Sequence, residues 1–332
     1  MAEPTPRVSV VIPCYNSLRY LPETLDAVLT GEFEDLEVVL VDDGGDDDLN
    51  GWSGRLGDPR VRVVRQPNGG VAAARNRGVA DATGELIAFC DSDDVWLPHA
   101  LRVMVERFDE LDGQVGETPV GLVYGWYQVV LEDGTPTGRV EAHDAEGDVW
   151  EHFVTANPVG MSATLVPKSV FDELGGFDVN RDEFPIDVED WDLWIRIAAS
   201  HRVGLVRDVL YLYRRHDSNS STAVDSLDSA YRRLLHNAFD GQSGDRLELR
   251  PAATAHVEKI LGWQSLNDER DPERALAYRR SARRHDPAVM TSPDYWRLGA
   301  AARAMSMLGQ NGYESIRAAA GALRRRLGLR RG

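Results

Sequence analysis

The first hundred residues alternate short apolar runs with amphipathic segments. Continuous apolar runs predict buried strands at 8–13, 36–41, 61–64 and 86–90. Between them, apolar residues three and four apart predict helices, one with Leu21, Leu25 and Val28 on a single face and another at about 71–80. Strands that alternate with helices indicate an α/β fold, with a mostly parallel sheet covered by helices on both faces.

The hydrophobic pattern changes twice further along the chain. A helix is predicted from 98 to 111 and a short one at 168–174, with strands at 121–131 (one or two), 163–166, 203–206 and 210–213. The turn-rich, acidic segment 132–148 predicts an exposed hairpin or loop. From about residue 225 the pattern is helical, with breaks near 241–244, 271–272 and 287–293. We therefore predict an α/β domain over 1–222 and a helical C-terminal region over 223–332.

Polar side chains follow several of the predicted strands directly. Right-handed crossovers place the carboxyl ends of parallel strands at one edge of the sheet, where α/β proteins bind their ligands. Here those ends are residues 13–16, 42–44 and 91–94. Turn chemistry explains any one of these segments, but their coincidence at one edge favours a ligand site.

The sequence Asp91-Ser92-Asp93-Asp94 suggests chemistry at this edge. Carboxylates two residues apart in a turn can converge on one hard cation, such as Mg²⁺ or Mn²⁺. The alternative is an acidic turn that caps the helix starting near Pro98, and this is the role we expect for Asp94.

Charge divides the chain into two parts. Residues 225–332 hold 19 Lys and Arg against 13 Asp and Glu, a formal charge of +6. Because the whole chain has a formal charge of −17, residues 1–224 have a formal charge of −23. The acidic part argues against nucleic-acid binding. The basic end includes an amphipathic helix over 314–331, which suggests peripheral contact with the cytoplasmic membrane face or with a lipid-linked molecule. A terminal helix docked on its own domain, or a homodimer contact, explains it as well.

Composition indicates a soluble protein in a reducing compartment, and we expect a cytoplasmic location. The sequence has no apolar run of 18 residues and no signal peptide pattern. Its two cysteines, Cys14 and Cys90, end apolar runs and fit buried thiols better than a disulfide.

Six motifs, in this order, resemble those of family 2 glycosyltransferases of the GT-A fold. The resemblance covers roughly residues 7–222. One departure is Gly45, where the family usually has Ser. The motifs are 8–16 (VSVVIPCYN), 41–44 (VDDG), 68–78 (NGGVAAARNRG), 91–94 (DSDD), 174–178 (LGGFD) and 189–192 (EDWD).

This resemblance implies a GT-A fold, Rossmann-like, with a C-terminal helical extension. It also implies an enzyme of the hexosyltransferase class that moves a sugar from a nucleotide to an acceptor hydroxyl, typically in polysaccharide or glycoconjugate synthesis. Asp93, supported by Asp91, would hold Mn²⁺ or Mg²⁺ against the diphosphate, and His216 would be a further ligand. The alternative for His216 is an exposed loop histidine.

The same resemblance implies a donor site at the strand ends. Tyr15 would stack on the base with Pro13 nearby, and Asp42 would accept a hydrogen bond from a uracil or thymine imide, which favours UDP- or dTDP-sugars. Arg75 would contact a phosphate or orient the acidic residues, and it could equally be a structural ion-pair partner. The remaining donor-site residues implied are Asn16, Asn68, Asp91, Ser92 and Gly160, the last allowing close backbone approach.

Asp190 is the general base that the resemblance implies, because a carboxylate can take the acceptor proton as the glycosidic bond forms. A single displacement of this kind inverts the anomeric centre. Glu189 would bind donor-sugar or acceptor hydroxyls, and Trp191 would offer a face to a sugar ring or belong to the core. Simple capping of the following helix also explains the acids at 187–192.

Two other functions use a similar fold. A nucleotidyltransferase acting on sugar phosphates would need a glycine-rich loop with Arg or Lys after the first strand, whereas this chain has Cys14-Tyr15-Asn16-Ser17. A non-catalytic carbohydrate-binding protein would not need Asp93, Asp190 and His216 together.

Overall fold

The computed structural model describes residues 5–114, 116–179, 188–216 and 224–326, with side chains described up to Ser315. The strands, numbered in chain order, are β1 (Val8–Cys14), β2 (Leu36–Asp42), β3 (Val61–Arg65), β4 (Leu86–Phe89), β5 (Val95–Trp96), β6 (Val120–Leu131), β7 (Pro136–Glu141), β8 (Thr164–Pro167) and β9 (Arg202–Arg215). The helices are α1 (Leu21–Leu29), α2 (Leu49–Leu56), α3 (Val71–Asp81), α4 (Ala100–Asp112), α5 (Trp150–Thr155), α6 (Lys168–Glu173), α7 (Glu189–Ser200), α8 (Val224–Phe239), α9 (Asp245–Glu248), α10 (Arg250–Asn267), α11 (Pro272–His285) and α12 (Pro293–Arg326).

The chain divides into two compact units. One consists of Met1–Phe153, Pro158–Val179 and Glu189–Asp217, and the other of Val154–Asn157, Asn180–Val188 and Ser218–Gly332. The boundary predicted between residues 222 and 223 falls within 217–223, outside the described residues, so it stays a prediction.

The first unit is built on one mixed sheet in the order β3-β2-β1-β4-β8-β6-β9-β5, with β7 paired to β6. This confirms the α/β class. The sheet is parallel over β3, β2, β1 and β4, but β8 runs antiparallel to both β4 and β6. The sheet is mixed, because β5, β7 and β8 run antiparallel to their neighbours while the remaining strands share one direction.

The directions of the strands determine which residues lie at the edge of the sheet formed by the carboxyl ends of β1, β2 and β4. Because β8 is antiparallel to both neighbours, β6 runs parallel to β4, and β9 runs parallel to β6. The carboxyl end of β9, next to His216, therefore shares an edge with the carboxyl ends of β1, β2 and β4. The start of β8, next to Ser162, lies at this edge too.

Apolar side chains on both faces explain why the central strands read as continuous hydrophobic runs. Every residue of β1 and β4 is buried, and in β2 all but Glu37 are buried. Helix α3 packs so closely on this sheet that a Cβ atom added at Gly78 would lie 2.3 Å from Val11 Cγ1 and 3.1 Å from Val41 Cγ2. Gly78 thus permits close contact between helix and sheet.

One prediction is wrong, one pair of alternatives is resolved and one helix was not predicted. The strands expected at 203–206 and 210–213 form one strand, β9, because the exposed residues Arg207 and Asp208 bulge out between the paired positions Val206 and Val209. The segment 132–148 contains β7, which forms a hairpin with β6, and a hairpin was one of the two predicted alternatives. Helix α2 was not predicted, because its sequence LNGWSGRL has two glycines and little amphipathic pattern.

The second unit is helical, and its helix breaks agree with the predicted ones. The gap between α8 and α9, the start of α11 at Pro272 and a 3₁₀ turn over Pro287–Thr291 match them. Helix α12 is interrupted at Gly309, where φ is 68°. The side chains of the predicted amphipathic helix 314–331 lie outside the described residues from 316 on. Within the described part of the chain, no helix has the length and apolar character needed to cross a bilayer.

A Gly78→Ala variant is expected to destabilise the protein by about 1–2 kcal/mol, because the added methyl group overpacks the contact between α3 and β1. The matched control is Gly54→Ala in the exposed part of α2, where a Cβ would meet nothing within 4 Å. It should stabilise by about 0.5–1 kcal/mol through helix propensity alone. Urea unfolding measures both, and an equal gain in the two variants would contradict the close packing described above.

Candidate active site

The acidic turn after β4 presents three carboxylates to three different partners. Asp91 Oδ1 accepts a hydrogen bond from Arg75 Nη2 at 2.6 Å, and Asp93 Oδ2 lies 2.7 Å from His216 Nε2. Asp94 is buried, and its carboxylate accepts from Ser162 Oγ and from the Arg214 backbone N–H. The expectation that Asp94 caps the next helix is therefore wrong, because its oxygens are engaged elsewhere and α4 begins only at Ala100.

Asp93 and His216 are the two predicted metal ligands that the fold brings together. Burial and the nearby Asp91 charge raise the pKa of Asp93, while His216 opposes that shift. A carboxylate suits Mn²⁺ or Mg²⁺, and an imidazole nitrogen favours the softer Mn²⁺ of the two, with the remaining positions left for phosphate oxygens and water. Asp91 is not gathered into the same donor set, since it faces Arg75. In the described ranges, no three His, Cys, Asp or Glu side chains are grouped to hold a metal ion.

Arg75 bridges the acidic turn and the start of α7. Its side chain is 4% exposed, with Nη1 2.7 Å from Glu189 Oε1 and Nη2 on Asp91, and its guanidinium lies over the Phe177 ring. Burial alone would lower the pKa of Arg75, but the two carboxylates raise it. These contacts fit two of the roles predicted for Arg75, orientation of the acidic side chains and a structural ion pair.

The position of Arg75 depends on a contact that the sequence did not reveal. Asp43 is buried after β2, and its carboxylate accepts from the backbone N–H groups of Gly69 and Gly70 at 2.7 and 2.8 Å. These amides open α3, where a carboxylate also favours the positive end of the helix dipole. Asp43 thereby anchors the helix that carries Arg75. Its distance of 26 residues from Gly69 hides this contact from any local capping pattern.

Asp190 lies in the first turn of α7 and is half-buried. Burial and the adjacent Glu189 charge raise the pKa of Asp190 to about 7, against the opposing charge of Arg75. Its Oδ1 accepts from the Trp191 N–H at 2.6 Å. A carboxyl group whose pKa lies near neutrality is suited to accept a proton and release it again.

Trp191 belongs to the core, which was one of its two interpretations. The side chain is 2% exposed, and its Nε1–H donates to the Phe153 carbonyl at 2.7 Å. The predicted sugar-stacking role is corrected accordingly, because a buried ring has no free face to offer. Glu189, which was expected to bind sugar hydroxyls, is 9% exposed and is paired with Arg75.

The residues expected around the nucleotide base lie after β1 and β2. Tyr15 is 57% exposed, whereas Pro13 is buried within β1. Asn16 adopts a left-handed conformation, with φ at 50°, and its Oδ1 accepts from the Asp46 N–H. Asp42 is buried, with one oxygen facing the Gly44 and Gly45 N–H groups and the other 3.0 Å from Arg65 Nη1.

The other predicted donor-site residues are spread along the edge. Asn68 is exposed next to Gly69, and Ser92 is partly buried, with its carbonyl accepting from Thr24 Oγ1 at 3.0 Å. Gly160 precedes β8 and has a packing reason for being glycine. A Cβ there would lie 2.1 Å from the Tyr211 hydroxyl and 2.8 Å from the Tyr127 ring.

Comparison with known proteins agrees with this architecture. Residues 9–132 match the model of glycosyl transferase family 2. The chain is 29% identical over 202 residues to an uncharacterized glycosyltransferase of Rickettsia felis, in an alignment that covers 60% of this chain and 31% of that protein. This chain thus spans about a third of the length of that relative.

Two solved structures share the fold. The first is S. aureus TarS 1-349 in complex with UDP-GlcNAc, with a TM-score of 0.61, 17% identity and 92% of each chain covered. The second is the mannosyltransferase PcManGT from Pyrobaculum calidifontis in complex with GDP-Man and Mn²⁺, with a TM-score of 0.56 and 19% identity, covering 95% of this chain and 84% of that one. At these identities the likeness concerns the fold, and it confirms the expected GT-A class. Residues 9–132 of this chain thus form a domain of glycosyl transferase family 2.

Proposed function

We propose that this protein is an inverting glycosyltransferase that moves a sugar from a nucleotide-sugar donor to an acceptor hydroxyl. The observation that carries the proposal is the chain of contacts from His216 and Asp93 through Asp91 and Arg75 to the helix of Asp190. It joins a candidate metal pair to a candidate base along one edge of the sheet. Neither nucleotidyl transfer nor simple carbohydrate binding requires a carboxylate with a pKa of about 7 at this edge of the sheet.

Each residue has a distinct part in the proposed reaction. Asp93 and His216 would hold Mn²⁺ or Mg²⁺, which when bound neutralises charge on the leaving diphosphate. Arg75 keeps Asp91 and Glu189 in place. Asp190 takes the proton of the acceptor hydroxyl as its oxygen attacks the anomeric carbon from the side opposite the nucleotide. One displacement of this kind inverts the anomeric configuration.

The donor is proposed to be a UDP- or dTDP-sugar, held by Asp42 and by stacking on the exposed ring of Tyr15. Asp42 Oδ1 already accepts from two backbone N–H groups, but Oδ2 accepts from Arg65 Nη1 and has a second lone pair that can accept again. Of the two structural neighbours, TarS binds UDP-GlcNAc and PcManGT binds GDP-Man. A carbohydrate or lipid-linked acceptor, peripheral membrane contact through 314–331 and a homodimer remain proposals from the sequence.

Replacing the metal-site carboxylate should abolish metal-dependent chemistry. We expect Asp93→Ala to lower Mn²⁺-dependent release of UDP from UDP-sugars by at least about 100-fold, because the cation loses its charged ligand. The control is Asp112→Ala, an exposed acid at the end of α4, which should keep full activity. Hydrolysis that survives in Asp93→Ala would rule out this mechanism.

Asp190→Asn should lower kcat by about 100- to 10,000-fold while UDP and Mn²⁺ binding stay unchanged, because only the proton acceptor is lost. Asp192→Asn is the matched control on the same helix. Asp192 is buried and pairs with Arg196 at 2.7 Å, so its loss should lower Tm but leave kcat within a few-fold. Steady-state kinetics and thermal unfolding of both variants test this, and equal losses of kcat would argue against Asp190 as the base.

The pH profile should report the protonation of Asp190. A base with a pKa of about 7 is half protonated at that pH, so kcat should fall about tenfold per pH unit well below pH 7 and level off above it. Glu189→Gln removes the neighbouring negative charge that raises the pKa of Asp190, so the acidic limb should move to lower pH. A limb that stays in place in Glu189→Gln would assign the titration to another group.

A further inference from the structure

Three buried groups at the edge of the sheet have no part in the proposed reaction. Ser162 precedes β8, Asp94 ends the acidic turn and Arg214 lies near the end of β9. Their exposed fractions are 1%, 1% and 4%, and they contact one another through hydrogen bonds. The three segments that carry them are far apart in sequence and meet at this edge of the sheet.

Ser162 joins the two ends of the acidic turn. Its hydroxyl donates to Asp94 Oδ2 at 2.6 Å and accepts from the Asp91 backbone N–H at 3.0 Å. One oxygen atom thus links residues 91 and 94, which are also joined by the hydrogen bond from the Asp94 N–H to the Asp91 carbonyl at 3.2 Å. The residue between them that matters for metal binding is Asp93, whose carboxylate direction depends on the course of this turn.

Asp94 connects the same turn to the strand that leads to His216. Its second oxygen, Oδ1, accepts from the Arg214 backbone N–H at 3.1 Å. Arg214 lies two residues before His216, so this buried carboxylate links the main chains that carry the two candidate metal ligands, next to the pairing of Val95 in β5 with Leu212 in β9.

The Arg214 side chain adds contacts on both sides of the metal pair. Nε donates to the Asp93 carbonyl at 3.0 Å, Nη1 to the Glu132 carbonyl at 2.7 Å and Nη2 to Glu23 at 2.6 Å. Its guanidinium also lies over the ring of Tyr20, which stacks on the His216 imidazole with ring centroids 4.8 Å apart. Arg214 therefore restrains the backbone of Asp93 directly and the ring of His216 through Tyr20.

We infer that Ser162, Asp94 and Arg214 form a positioning frame that presets the spacing of Asp93 and His216 for a divalent cation. The inference rests on the proposed metal role of that pair. Groups that hold metal ligands in place typically contribute 10- to 100-fold to metal affinity, because ligands already in position lose less freedom on binding. The frame accounts for a buried acid and a buried arginine that neither bind the donor nor transfer a proton.

The chain contains a matched control for each member that can be varied. Ser9 is buried like Ser162, and its hydroxyl likewise donates to a carboxylate (Glu37, 2.6 Å) and accepts from a backbone N–H (Gly84, 2.8 Å), but it lies at the start of β1. Arg196 resembles Arg214, because it also donates to one carboxylate and two backbone carbonyls. The carboxylate is that of Asp192, and the carbonyls are those of Leu174 and Gly176.

The experiment compares Ser162→Ala with Ser9→Ala in the full chain. The Kd for Mn²⁺ is measured at saturating UDP from the electron paramagnetic resonance signal of free Mn²⁺, corrected by a protein-free titration for the Mn²⁺ that UDP itself binds, and Tm is measured alongside. Both variants should lower Tm, since each loses two buried hydrogen bonds. Only Ser162→Ala should raise the Kd for Mn²⁺, by about 10-fold or more.

A second pair, Arg214→Lys and Arg196→Lys, decides the question if Ser162→Ala does not fold. Lysine keeps the charge and loses the forked donors, so Arg214→Lys should raise the Kd for Mn²⁺ and Arg196→Lys should not. An unchanged Kd in folded Ser162→Ala or Arg214→Lys overturns the frame and leaves the proposed function standing. An equal rise in the controls overturns it as well, while wild-type protein that binds no Mn²⁺ overturns both the frame and the metal role.

Discussion

The candidate active site depends on one buried arginine that neutralises the charge of closely spaced carboxylates. Asp91, Glu189 and Asp190 approach one another at the edge of the sheet, where mutual repulsion and loss of water oppose their ionised forms. Arg75 lies between two of them with nearly all of its side chain buried. Removal of one partner from such a buried ion pair commonly costs about 3–5 kcal/mol, because the other charge is left unpaired. The same balance leaves Asp190 with a pKa near neutrality, since burial and Glu189 together outweigh Arg75.

A second constraint is the direction of the sheet's fifth strand. Because β8 runs antiparallel between β4 and β6, its first residues approach the ligand edge, and the strand that carries His216 ends there. Ser162 and His216 thus reach the acidic turn from segments 54 residues apart in sequence. The site is assembled from strand ends of both directions, and the hydrogen bonds of Asp94 and Arg214 hold those ends together.

Much of the first unit could be predicted because its strands are buried on both faces. That burial makes β1, β2 and β4 continuous apolar runs, and each run stops where polar residues of the site begin. The pairing of Asp93 with His216 agrees with an expectation drawn from family resemblance. Asp94 was misread as a helix cap, because an acid close before a helix has the same local pattern whether it faces the helix or a distant serine. Trp191 was similarly ambiguous, since a tryptophan next to acids suits a sugar platform and a core position alike.

By itself, the sequence determined the α/β class, the edge of the sheet at which the site lies and the chemical types of the residues there. These properties follow from hydrophobic periodicity and from the residues that end each strand, which are local features. Only the tertiary structure decided the partner of each carboxylate: Arg75 for Asp91 and Glu189, His216 for Asp93, Ser162 and Arg214 for Asp94. The reason is physical, because a carboxylate accepts hydrogen bonds from any nearby donor, and which donor is near depends on strand order and direction rather than on neighbours in the chain.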